Sequence, residues 1–230
     1  TQGVSSAASD VYKRQTPHNI TFVFLGTAFL WLGWFGFNAG SGLNADGIAA
    51  NAFLVTHLTT CVAALTWMAV DWIHNKKPTT VGACTGAVSG LVAITPAAGT
   101  VDIIGAFFIG LITPLICFYM VAVIKPRFKY DDTLDAFGVH GIGGIVGSIL
   151  TGVFATQFIS GEGGLKGALY GDWHQLWIQI IATVISIVFS AVMTYILFKI
   201  TDRLVGIRVD KRVEEEGLDI YEHGESAYSH

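Results

Sequence analysis

The chain has 230 residues, 52% of them hydrophobic and only 13% charged, with a formal net charge of -4 and a mean hydropathy of +0.57. Such apolarity excludes an ordinary water-soluble domain and marks a membrane protein. The acidic residues are spread over loops and the C-terminal tail, so the net charge names no partner, and nothing in it points to nucleic acid.

In chain order, residues 1–16 lack an initiator methionine and an apolar signal-peptide core, and they change abruptly into "ITFVFLGTAFLWLGW". This segment is expected to be non-native or disordered, a polar cytoplasmic loop being the alternative. Uncharged runs then occupy residues 15–45, 47–70, 78–101, 103–124, 136–161 and 173–198. Each is long enough for the roughly 20 residues that a helix needs to cross hydrocarbon. The spacing predicts an all-α bundle of six transmembrane helices over residues 17–206, with a charged tail at 207–230. Barrel strands would alternate in segments of about 10 residues, and nothing here alternates that way.

The first run ends in "WLGWFGFNAGSGLNADG", where aromatics step into small polar residues. That is either a vestibule whose rings screen a cation or an ordinary aromatic belt. In the second run, His57 is tied to no small-residue face and reads as a packing or interface residue. The third, "GACTGAVSGLVAITPAAG", places Gly82, Gly86 and Gly90 on one face, as close helix packing in lipid requires. Cys61, Cys84 and Cys117 fall within runs as small packing residues. With no disulfide framework, no zinc spacing and no HExxH signature, neither a metal, a cofactor nor an intramembrane enzyme is expected. Between the runs, ten lysines and arginines flank one side (Lys76 to Arg212), whereas the opposite loops hold only Lys166. The positive-inside rule therefore puts the C-terminus in the cytoplasm.

The fifth run, "DAFGVHGIGGIVGSILTGVFA", carries His140 among glycines. Its spacing to Gly143 and Gly144 places it on the face that Gly147 and Ser148 continue, and so inward, away from lipid. An intramembrane ionisable residue is costly unless neutral, paired or beside water. Neutral imidazole offers one donor and one acceptor, enough to line a path for a small hydrogen-bonding solute or to relay a proton. A histidine that merely bonds a neighbouring helix is the alternative. Asp135, five residues earlier, reads as a charge complementing the helix dipole.

"GWFGFNAGS", "GACTGAVSGLVAITPAAG", "DDTLDAFGVHGIGGIVGSILTGVFA" and "EEEGLDIYEHGESAY" together resemble the ammonium transporter family (Amt/Mep, distantly Rh) over residues 17–228. The resemblance implies helices six to eleven of an eleven-helix protein, namely the second inverted repeat plus a final long helix. It also implies a homotrimer in the cell membrane and a regulatory tail that docks a PII-type signal protein. By the same resemblance, Phe37 corresponds to the inner phenylalanine of a pore gate and Ser41 to a hydroxyl of an outer recruitment site. His140 corresponds to the second of twin pore histidines, Thr95 to a pore-adjacent threonine and Asp135 to a structural aspartate near the cytoplasmic side. The implied function is recruitment of ammonium and conduction of ammonia. A chain holding only these helices would be a fragment not expected to conduct alone. An ammonium sensor signalling through the tail is the alternative.

Overall fold

The structure, a computed structural model, describes residues 17–225. The segment 1–16, expected to be non-native or disordered, and the last five residues of the tail lie outside the described residues. Two compact units emerge, one ending at Thr183 and one beginning at Val184.

All regular structure among the described residues is helical. The order is α1 (Ile20–Asn38), α2 (Gly47–Asn75), α3 (Thr80–Ile94), α4 (Ile103–Tyr119), α5 (Lys125–Phe128), α6 (Ile142–Phe154), α7 (Gln157–Ser160), α8 (Trp173–Leu204) and α9 (Lys211–Glu216). Wide π-turns at Met120–Ile124 and Phe137–Gly141 lead from α4 into α5 and open α6. Side chains close several helix starts, among them Asn19, Asp46, Thr79 and Asp102, which accept from the backbone N–H groups of Phe22, Ala49, Gly82 and Gly105. Each cap satisfies a donor that hydrocarbon would leave stranded.

Among the described residues, five helical stretches are long and apolar enough to cross a membrane: Ile20–Gly42, Gly47–Asn75, Ile103–Phe128, Phe137–Phe154 and Trp173–Leu204. The run at 78–101 differs from the expected full span. Its helix, α3, has 15 residues, about 22 Å at the usual rise. Pro96 then lacks the N–H needed to continue the ladder. Residues 95–100 fold instead as turns, with Ala97 N–H donating to Ile94 O and Thr100 N–H to Ala97 O. Non-helical backbone at such depth survives only when its polar groups are met inside the protein. Asn51 of α2 meets them, its Nδ2 donating to Ala98 O at 3.2 Å and Val101 O at 3.0 Å.

In the first unit α3 is central, packed by α1, α2, α4 and α6. Its glycine face lies on α2: a Cβ on Gly86 would fall 2.8 Å from Ala63 O, and one on Gly90 2.9 Å from Thr59 O. Such approach is the chief source of attraction between helices where lipid is as apolar as leucine. One apolar core joins Ala52, Val55, Ile94, Ala97, Val101, Ile109 and Phe154. A second joins Trp67, Cys117, Phe118, Val121 and Val139. Asp71 is 1% exposed and is held by neutral donors, Thr79 Oγ1 at 2.7 Å and Asn75 Nδ2 at 3.2 Å. In the second unit, the end of α8 turns at Gly206 (φ +75°) toward α9, and Lys199 lies over the Tyr195 ring.

Candidate functional site

α1, the end of α3 and the opening of α6 line an open pocket of about 260 Å³ bordered by Trp34, Val92, Thr95, Pro96, His140, Gly144 and Ser148. Its polar groups are few and oriented. The Trp34 indole N–H donates to Thr95 Oγ1 at 2.8 Å, and that hydroxyl donates to Leu91 O at 2.8 Å, so the threonine oxygen has a fixed direction. The Trp34 ring faces the His140 imidazole, with centroids 6.4 Å apart and planes tilted by 48°. Apart from Ser148, the rest of the lining is apolar or glycine. Among the residues that touch this space, only the imidazole, the Thr95 hydroxyl, the Trp34 N–H and the Ser148 hydroxyl offer hydrogen-bonding side chains.

Trp34 also borders a second open pocket of about 260 Å³ on the surface of α1, lined by Phe29, Leu30, Gly33, Trp34 and Phe37. Phe37 meets Trp34 edge-on at 5.7 Å. The structure thus brings His140 and Thr95 together directly and joins Phe37 to them through Trp34. Ser41 is not part of either lining; its hydroxyl donates to Phe37 O. His57 stands apart against Trp31 and Phe35 of α1, at ring separations of 5.3 and 6.0 Å.

Two details differ from the sequence reading. His140 does not share the packed face: Gly143 is buried and Gly147 abuts Ala93 O, whereas His140 itself is exposed and lines the cavity beside Gly144 and Ser148. The π-turn at its position breaks the 3.6-residue period on which that reading relied. Asp135 does stand at the start of the helix, where its carbonyl accepts from Val139 N–H, but its carboxylate is not the one that meets the free N–H groups there. Asp132 meets them, its carboxylate accepting from Phe137 N at 3.2 Å and Gly138 N at 3.0 Å. Asp135 instead pairs with buried Lys125 at 2.7 Å. Beside them Tyr130 has its phenol pushed above the ordinary value by burial and by the carboxylates of Asp132 and Asp135.

The family model described as "Ammonium Transporter Family" matches residues 8–228. The chain belongs to that family. It is 50% identical over 213 residues to an ammonium transporter of Aquifex aeolicus, an alignment that covers 93% of this chain and 49% of that protein. Among solved structures, Saccharomyces cerevisiae Mep2 matches with 37% identity and a TM-score of 0.78, covering 83% of this chain and 43% of Mep2. A structure described as "Sensor Amt Protein" matches with 30% identity and a TM-score of 0.80, covering 89% of this chain and 49% of that one. The chain therefore spans about half the length of the curated relatives it matches.

The sequence alone singles out neither Trp34 of this wall nor Asn38 beside it on α1. Trp34 lies in the stretch that reads either as a vestibule or as an aromatic belt, although its position three residues before Phe37 places both on one helical face. Asn38 follows one turn later. Its Nδ2 donates to Thr56 Oγ1 at 2.9 Å, while that hydroxyl donates to Ala52 O. The arrangement fixes the amide and leaves Asn38 Oδ1 as a buried acceptor without a protein partner.

Proposed function

We propose that residues 17–206 supply part of the wall of a transmembrane pathway for ammonium nitrogen, with ammonium recruited near Ser41 and Phe37 and ammonia passed along His140. The observation that carries this reading is the mostly apolar cavity in which His140, Thr95 and Trp34 converge. Bringing a bare ammonium ion into such a space costs on the order of tens of kcal/mol by ideal Born solvation. Ammonia carries no such penalty and matches an imidazole that offers one donor and one acceptor. Deprotonation before entry follows, and the same ring is able to relay the released proton. Potassium has no proton to lose and no hydrogen bond to donate, so the site rejects it.

The proposal extends to a homotrimer in the cell membrane with a cytoplasmic C-terminus. Residues 207–230 form its regulatory tail, the docking place for a PII-type signal protein. Sensing through that tail is the second reading, favoured by the likeness to the sensor structure. The nearer likeness to a protein named a transporter gives conduction precedence. The test uses a full-length protein that contains this chain and compares it with His140→Ala. Methylammonium uptake and ammonium-evoked current per folded molecule should fall, or selectivity over potassium should be lost, with thermal stability in detergent retained. Unchanged transport and selectivity would overturn the reading.

A further inference from the structure

We propose that Lys125, Asp132 and Asp135 are positioning residues, a buried latch that sets where His140 stands in the cavity; the inference rests on the pathway reading above. Lys125 is 1% exposed, deeper than any lysine is found without partners. Its ammonium donates to Asp135 Oδ1 and to the backbone carbonyl of Asp132. It thereby ties α5 to the loop that enters the His140 turn. The same loop residue, Asp132, grips the turn itself through the N–H groups of Phe137 and Gly138.

Backbone geometry shows that this connection is enforced. Asp135 adopts φ +56°, a left-handed conformation that a side chain other than glycine rarely takes. From there its carbonyl accepts from Val139 N–H at 2.9 Å. On the third side, Gly138 lies so close to Val121 that a Cβ would fall 2.7 Å from Val121 Cγ2. The two π-turns, Met120–Ile124 and Phe137–Gly141, are thus pressed together two residues from His140. A π-turn holds one residue more than the α-turn it replaces. Relaxing it would rotate His140 by about 100° around the helix, away from Trp34 and Thr95.

Stability alone is a poor reason for such a pair. Buried ion pairs are commonly no better than well-packed apolar substitutes, whereas removal of one partner is severe. What the pair supplies here is register.

The experiment uses the full-length protein with four variants: His140→Ala, Lys125→Met, Asp135→Asn, and the double Lys125→Met/Asp135→Asn. Each latch single strands a buried charge and should lower the melting temperature, while the double removes both charges and should recover most of it. Methylammonium uptake per folded molecule should nevertheless stay down in the double by about tenfold or more, as expected for a displaced group. Adding His140→Ala to the double should cost nothing further. Should the double fold poorly, Asp132→Asn, which keeps one acceptor oxygen at the turn, is read in the same way. A stable latch variant with wild-type uptake, or one to which His140→Ala adds its full effect, overturns the latch alone. If His140→Ala by itself is silent, the pathway reading falls and the latch falls with it.

Discussion

Trp34 shows how much one side chain contributes to this wall, because it lines two pockets at once and orients Thr95. Trp34→Phe keeps an aromatic ring there but deletes the N–H. The Thr95 hydroxyl would still donate to Leu91 O, so only an incoming bond is lost. The expected cost is about 0.5–1.5 kcal/mol. It should appear as a small fall in the detergent melting temperature together with altered uptake; a melt and uptake equal to wild type would remove Trp34 from the wall. At this scale the sequence is legible where chemistry is out of place. An imidazole in an uncharged run announces itself, so His140 stands out without any structure. A tryptophan at the end of a span does not, because a belt residue explains it equally well. Lys125 and Asp135 were invisible as a pair: they meet through a loop with a left-handed residue, and no periodicity records such a meeting.

Among the elements, α3 depends most on what its neighbours allow. Gly86 and Gly90 set its distance from α2, and α2 in turn offers backbone carbonyls and not flexible side-chain ends at the contact. Gly86→Leu therefore has to push two helices apart. Overpacking of this kind typically costs 1–3 kcal/mol, occasionally more, and here the Trp67 Cβ lies on the same spot. Loss of folded protein by size-exclusion chromatography is expected, whereas Gly26→Leu, on α1 with no atom within 4 Å of its Cβ position, should elute normally. The glycine stripe was readable from spacing alone, and so were the apolar runs. Helix boundaries were not: composition runs on smoothly through Thr95 and Pro96 to Val101, while the ladder stops where an N–H is missing. The π-turns left no trace either, since an extra residue in a helix changes register and not composition.

For the whole molecule, the distribution of charge predicts orientation. A reporter fused after His230 should read cytoplasmic, since ten lysines and arginines border the expected inner ends against Lys166 alone on the other side; an external readout would invert the assignment. Assembly brings a separate demand. α3 is about 22 Å long by its rise, short of the roughly 30 Å of bilayer hydrocarbon, and two carbonyls of the turns that complete its depth, those of Ala98 and Val101, accept from Asn51 of α2. A nascent chain presenting α3 alone at the translocon would have to place those carbonyls in lipid unmet. Its glycines, threonines and serine add little apolar drive of their own. α2 and α3 should therefore partition into the bilayer as one helical hairpin, with Asn51 already in place. In glycosylation mapping during cell-free synthesis, α3 by itself should fail to integrate and α2 with α3 should integrate efficiently. Asn51→Leu, although more apolar, should lower the yield of the pair, so that one amide on a neighbouring helix governs whether the ribosome's product becomes a membrane protein at this step.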